Sequence, residues 1–348
     1  MIRRAFSFVT EDLNEKAVVM KKFFTWVIVL VLAVCSLAFG ACDKDKGGKF
    51  TFCVPDGAPA LAVAKFIKDK ENFGEKYEFD YKVVAAGNIG GIMQKGESDF
   101  IVMPVNAASK LYKANKGDAY KMAAVITHGN LYIMTKGETS AEELKGKVVG
   151  VIGQGNVPDL TLKVILKKEG IEYEASEKPV DGKVAFRYFA DASELMPMLK
   201  QGKLSVGLLP EPAATKLTKI APDYTGRINV QTLYDSESGT YPQAVLMVKS
   251  SIADNNPGLI EKIENAFKGL NEWLHENTSV AVTAVNGALA EGVVPSLVAE
   301  NIDAGVIDGC NIFWQSAEKG KSAVQNYLAD IMAIEPTSAK QVTDEFFI

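Results

Sequence analysis

Histidine, cysteine and arginine are scarce in this 348-residue chain, and each shortage removes a class of chemistry. There are two histidines, His128 and His275, and four cysteines. None of them falls at metal-ligand spacing, and no Cys-x-x-Cys is present. No Gly-x-Ser-x-Gly elbow occurs. Gln154-Gly155-Asn156 lacks both a phosphate-loop lysine and the G-x-G-x-x-G spacing of a nucleotide site. With so little site chemistry, and no cofactor implied, the sequence does not read as an enzyme. Positive charge is short as well. Five of the 38 basic and three of the 43 acidic side chains precede Cys42, which leaves 33 against 40 and a net charge near −7. Such a surface carries no footprint for nucleic acid. After residue 41 no second apolar run of membrane length follows.

What is there begins with a leader. Lys21 and Lys22 precede an apolar run from Phe23 to Ala41, which ends in Phe39-Gly40-Ala41-Cys42. Basic, apolar, then small is the order of a secretory signal. Small residues directly before a cysteine resemble the lipobox of bacterial lipoproteins, although Phe39 stands where leucine is usual. That resemblance implies lipidation of Cys42 and anchoring by acyl chains, each buried methylene contributing about 0.8 kcal/mol. An uncleaved anchor is the alternative, since the run could just span a bilayer. Met20 suits the start of a signal better than Met1, so residues 1–19 read as an upstream extension and 20–41 as the signal peptide. An N-terminal peptide from the upstream segment, found by mass spectrometry, would refute that start. Of the remaining cysteines, Cys53 falls in an expected core strand and Cys310 in a distant loop. Export permits a disulfide between them, and burial as free thiols is the competing reading.

After a polar tether (residues 43–49), strands and helices alternate: Phe50–Val54, Tyr81–Ala85, Ser98–Met103 and Tyr120–Ile126 as strands, each but the last leading into a helix. Leu131–Thr135 follows. The alternation restarts at Val148–Ile152, with Pro158–Lys168 as a helix, and continues through Phe186–Phe189 and Val206–Leu209. Pro197 is expected to bend or break the helix after Asp191. Ile228–Leu233 and Ala244–Lys249 are the last expected strands, and from Asn256-Pro257 the chain reads as helical to its end. This is an α/β protein with mainly parallel, mixed sheets, and its length suits two lobes.

The order of these parts resembles a known family. The restart at Lys145-Gly146-Lys147-Val148-Val149-Gly150, the run Leu199-Lys200-Gln201-Gly202-Lys203 ahead of Val206–Pro212, and Asn256-Pro257-Gly258-Leu259 leading to Trp273-Leu274 carry the likeness. Together they look like the substrate-binding proteins of ABC importers in the nitrate/sulfonate/taurine and thiamine-pyrimidine branch. The resemblance implies the two-lobe periplasmic-binding-protein type II fold, with lobe one at residues 43–136 plus 238–348 and lobe two at 137–237. It also implies hinges near Thr135 and Ser238, a small-molecule ligand between the lobes, an ABC permease and its ATPase as partners, a monomeric state, and a place on the outer face of the cytoplasmic membrane or the periplasmic membrane face. A pyrimidine-synthesis enzyme of the same fold, and a sensory or adhesive module, are the rival readings.

The expected ligand contacts lie in loops that follow strands and open helices, where free backbone N–H groups gather. In lobe one these are Asp56, Gly57, Ala58, Gly87, Asn88, Asn106, Ala107, His128 and Asn130. In lobe two they are Gln154, Gly155, Asn156 and Glu211, with Tyr241 and Gln243 beside the second hinge. Each also has a plain structural reading: Asp56 as a turn residue, Gly87-Asn88 as a positive-φ turn, Asn106 as an N-cap, Glu211 as a helix-start carboxylate, and Tyr241 with Tyr132 as packing. After residue 42 only Arg187 and Arg227 remain as arginines, both outside the expected cleft loops, which disfavours an amino-acid ligand. An aminopyrimidine, with Glu211 or Asp56 accepting its amine and Tyr241 stacking, is the first expectation. A sulfonate held on helix N-termini is the second.

Overall fold

In the computed structural model the described residues are 45–348 apart from Lys116. Cys42, the signal peptide and the upstream extension lie outside them. Residues 47–348 form one compact unit with two six-stranded sheets. The first has the order β12-β4-β11-β3-β1-β2, where β1 is Gly48–Pro55, β2 Tyr77–Val84, β3 Phe100–Pro104, β4 Tyr120–His128, β11 Pro242–Lys249 and β12 Ile312–Ser316. The second runs β10-β5-β9-β6-β8-β7, where β5 is Leu131–Thr135, β6 Val148–Ile152, β7 Tyr173–Ala175, β8 Val184–Phe189, β9 Val206–Pro210 and β10 Gly226–Asn229.

The two sheets share one plan. In the first, β1 lies parallel between β2 and β3, and β11 adds antiparallel beside β3. In the second, β6 lies parallel between β8 and β9, and β5 adds antiparallel beside β9. Each sheet is therefore extended by a strand laid down on the far side of a crossing.

Alternation along the strands sets the cores. Phe50, Phe52 and Val54 of β1 face one way, with Phe79, Phe100 and Val102, against the helices Ala64–Asp69, Pro257–Phe267 and Thr278–Gly287. Cys53 faces the other way with Ile101, Met103, Met122 and Met247. That second face belongs to an apolar cluster that continues through Tyr241 and Tyr327 to Leu160, Val149 and Val151 of the second sheet's layer. Cys53 and Cys310 are both buried and free.

Several expectations need correction. The chain crosses to the second sheet at Gly129-Asn130, between β4 and β5, rather than near Thr135, so β5 has joined the second sheet before residue 136. The stretch expected as strand Ile228–Leu233 splits into β10 and the helix Val230–Tyr234, because the Asn229 side chain accepts from Thr232 N and caps a helix. Pro197 is tolerated inside the helix Ala192–Lys200. The C-terminal third is interrupted by an irregular arm ahead of Ala304–Gly309 and by β12, where Phe313 and Trp314 favour a strand. The periodic stretch after Pro257 breaks at Gly269, whose φ of 72° suits glycine.

Candidate functional site

Loops at the carboxyl ends of parallel strands from the two sheets meet where Asn106, after β3, reaches Gly155, after β6, and such loops start helices. The helix Ala192–Lys200 follows β8 and the helix Ala213–Ile220 follows β9. Opposite them runs the arm 291–303, which leaves β2's edge where Leu289 bridges Val83. Between arm and helices lies a cavity of about 520 Å³, within the range of small-molecule sites. Its walls are mostly apolar, with Met196, Pro212 and Ile220 on one side and Val294, Val298 and Ile302 on the other. Lys200 and Lys216 stand at its edge with no carboxylate partner among the described residues. The lining holds no carboxylate, histidine or cysteine.

The loop residues selected from the sequence fall into three groups. Asp56, Asn106, Gly155, Asn130, Glu211, Gln243 and Tyr241 are brought to the junction between the two sheets' layers, and their polar atoms are largely engaged. Asp56 Oδ1 accepts from Gly57 N at 2.8 Å, and Oδ2 accepts from Ser296 N at 2.7 Å, fastening the arm to the turn after β1. Gly57 holds that turn at φ 108°, and Ala58 is buried behind it. Asn106 Nδ2 reaches Ser338 O at 3.1 Å and Gly155 O at 3.3 Å, with Ala107 half-buried beside it. Asn130 N donates to Gln243 Oε1 at 3.1 Å, and its own carbonyl accepts from Glu211 N at 2.9 Å.

Gly87, Asn88, Gln154 and Asn156 form the second group and are exposed. Gly87 sits in a short 3-10 turn without positive φ, so the reading as a left-handed turn is not what the backbone adopts. Asn156 precedes the helix Val157–Lys168 without capping it. Asp159 takes over at that end, accepting from Gly155 N at 2.8 Å.

His128 stands alone. It is buried, its ring stacks on Phe313 at 3.5 Å, and Nε2 meets Gln315 Oε1 at 3.4 Å. Burial pushes its pKa down to about 4, against the smaller upward pull of Gln315 and Asn311. It is neutral at pH 7. His128, Asn130 and Tyr241 meet through Gly129, whose N–H donates to Tyr241 O at 2.9 Å, but their side chains meet different partners. Each still carries a buried polar atom without a partner, as does Asn106.

Glu211 and Tyr241 do not offer what a heterocycle needs. Glu211, wholly buried, is paired with Arg227 and accepts from Thr215 Oγ1 at 2.7 Å and Thr215 N at 3.1 Å. Arg227, expected to lie apart from the cleft loops, is therefore tied to one, and its guanidinium lies 3.8 Å from the Tyr132 ring centroid. Burial lowers the Arg227 pKa, but Glu211 and the Tyr132 hydroxyl together outweigh it and hold the guanidinium above the ordinary arginine value. Tyr241 is packed between Tyr234 and Tyr327 at centroid distances of 5.3 Å to each. The helix N-termini offered to a sulfonate are also served: Asp191 accepts from Ser193 N and Glu194 N, and Glu211 from Thr215 N.

Sequence reasoning missed Ser193, Met196, Lys216 and the arm. The first was within reach, since Asp191-Ala192-Ser193 is another strand-to-helix loop. The arm was hidden by reading the C-terminal third as continuous helix.

Solved structures resemble this chain along most of its length. An ABC transporter protein from Parabacteroides distasonis matches with a TM-score of 0.67 and 21% identity, covering 87% of this chain and 99% of the other. The periplasmic aliphatic sulphonate binding protein SsuA from Escherichia coli matches at 0.58 and 14%, covering 84% and 94%. The zinc-bound ligand-binding component of an ABC-type import system from Staphylococcus aureus matches at 0.57 and 12%, covering 86% and 96%. The chain has the fold of ABC-importer solute-binding proteins. In that fold the ligand crevice is expected outside the carboxyl ends of the strands, where the 520 Å³ cavity lies. No family model and no curated protein matches the sequence. Among the described residues no helix is long and apolar enough to cross a membrane.

Proposed function

We propose that this protein is an extracytoplasmic solute-binding lipoprotein that holds a small organic ligand between its two lobes and delivers it to an ABC permease. The observation that carries this reading is the cavity between the helices Ala192–Lys200 and Ala213–Ile220 and the arm 291–303. A lining without acid–base pairs favours holding over chemistry, and a solute-binding fold supports the same conclusion. Export and lipidation at Cys42 complete the proposal. Substituting Cys42→Ser should abolish metabolic labelling by palmitate; undiminished labelling would rule out lipidation there.

The ligand we favour is an organic anion with an apolar portion, a sulfonate ahead of an aminopyrimidine. Apolar walls suit the chain of such a molecule, and unpaired Lys200 and Lys216 suit its charge, whereas Glu211, Asp56 and Tyr241 are engaged elsewhere. Isothermal titration with an aliphatic sulfonate, taurine and hydroxymethyl-aminopyrimidine tests this. Heat is expected with the sulfonate, weakened at least tenfold by Lys216→Ala. Heat only with the pyrimidine would reverse the order.

A further inference from the structure

The first sheet ends in β2, and the outer edge of that strand has a gap in its cover. β2 has β1 as its one neighbour, so the backbone groups of every second residue point away from the sheet. Phe79 N donates outward to Asn72 Oδ1 at 2.8 Å. Farther along, Val83 N donates to Ala288 O at 2.9 Å and Val83 O accepts from Ala290 N at 2.8 Å, where Leu289 bridges the strand. Tyr81 falls between these two points with the same orientation. Its N–H and C=O, and the Phe79 C=O, have no partner on that side among the described residues.

The gap opens into a groove of about 760 Å³. The helix Ala64–Asp69 lines one side of it and the helix Thr278–Gly287 another. Ile67, Phe79, Tyr81 and Ala284 give it apolar walls, and Val280 leaves 42% of its surface exposed there. Gly287 is also in the lining, and a Cβ on it would meet no atom within 4 Å. The charges around the groove do not balance. Lys68 is paired with Asp69 at 2.7 Å and Asp80 with Lys82 at 3.5 Å. The exposed Lys70 ammonium has no partner among the described residues. Lys70 ends its helix at φ 49°, a place that glycine usually fills.

We propose that this groove is a peptide-binding site, in which an extended acidic segment of another protein lies along β2 as one more strand. The free backbone groups point to a peptide. One residue of an extended chain offers an N–H and a C=O that satisfy two of the three, whichever way the segment runs. Alternate side chains of the segment face the groove, where Ile67, Val280 and Ala284 suit an apolar one. Lys70 selects a carboxylate close by and repels a cationic segment. Edge strands are commonly guarded by charge. Here Asp80 and Lys82 offset each other, and the groove side of the strand presents Phe79 and Tyr81 instead.

The test uses the full-length protein and a fluorescent, end-blocked hexapeptide of alternating valine and glutamate, followed by anisotropy. That peptide should bind saturably and slow amide hydrogen exchange over residues 79–83. A version N-methylated at every residue, which has no N–H to donate, should bind at least tenfold more weakly, and so should one with lysine in place of glutamate. Lys70→Glu should weaken the glutamate peptide about fivefold, and Lys70→Arg should restore it. Gly287→Glu places a like charge in the groove and should abolish binding; an unchanged melting temperature separates this from a loss of fold. No binding of the glutamate peptide, equal binding of either altered peptide, or no response to Gly287→Glu would overturn the proposal. Self-association of the protein in sedimentation, lost in Gly287→Glu and with no peptide bound, would overturn it in favour of a second copy. The groove and the cavity share no lining residue, so a failure here is separate from a failure of the titrations above.

Discussion

Lys163 and Lys219 make the same kind of contact, a lysine from the second sheet's layer reaching a carboxylate of the first, yet they belong to opposite flanks. Lys163, on the helix Val157–Lys168 that packs along the C-terminal helix Ala317–Ile334, is 8% exposed and its cross-layer partner Glu335 34%, with the wholly buried Asp159 of its own helix beside it, whereas Lys219, facing the arm, and Asp303 are 37% and 62% exposed. Burial alone would depress the Lys163 pKa, but Glu335 and Asp159 outweigh it and hold the ammonium above the ordinary lysine value. Glu335 answers with a pKa below its usual one, burial being outweighed by Lys163 and Ser338. Distance says little about what such a pair does; the surrounding dielectric decides it.

The comparison breaks most visibly with Lys163→Met. Asp159 would keep Gly155 N and the Tyr188 hydroxyl as donors but lose its cation, at a cost of about 3–5 kcal/mol. Differential scanning calorimetry should record a loss of several degrees; an unchanged transition would mean that the triad does not hold this flank. At the crossing itself, Gly129→Ala is the next largest. A Cβ there would come within 2.4 Å of the Tyr241 ring and 2.8 Å of Gln231, which predicts a loss of about 1–3 kcal/mol in a urea titration. Full retention of stability would show that this crossing is looser than its packing implies.

His128 supplies a pH test of the same side of the molecule. Its folded pKa, about 4, is below the ordinary 6.5, so the unfolded chain protonates first as pH falls. Its contribution is complete above pH 6.5 and declines between 6.5 and 4, by up to about 3 kcal/mol. Melting temperatures from pH 7 to 4 should fall less steeply in His128→Leu than in the native protein; parallel curves would contradict the shift. Smallest of all is Lys219→Ala, expected to change global stability by less than about 1 kcal/mol, measurable in the same urea titration. A larger loss would mean that the two flanks are not the unequal pair described above.

Most of the framework could be read from residue order. Tight turns such as Pro55-Asp56-Gly57 and Gly153-Gln154-Gly155-Asn156 separate strand from helix by local chemistry, and local chemistry is visible in sequence. Strand partners are not: β5 and β11 each join a sheet whose other strands lie far along the chain, and nothing in Leu131–Thr135 says which. The same limit applies to the site. Glu211 and Tyr241 have the composition of ligand contacts, but Arg227, Tyr234 and Tyr327 reach them first through long-range packing. Periodicity also misled after Asn256, where apolar spacing continued across Gly269 and concealed the arm.

The arm has one more consequence. Val294 is 82% exposed and Val298 37%, and both border the mouth that Lys219 spans. On the proposed function, a membrane partner approaching this rim would meet greasy side chains beside Ile220. Such a partner would touch the lip's apolar outline, not the cargo within.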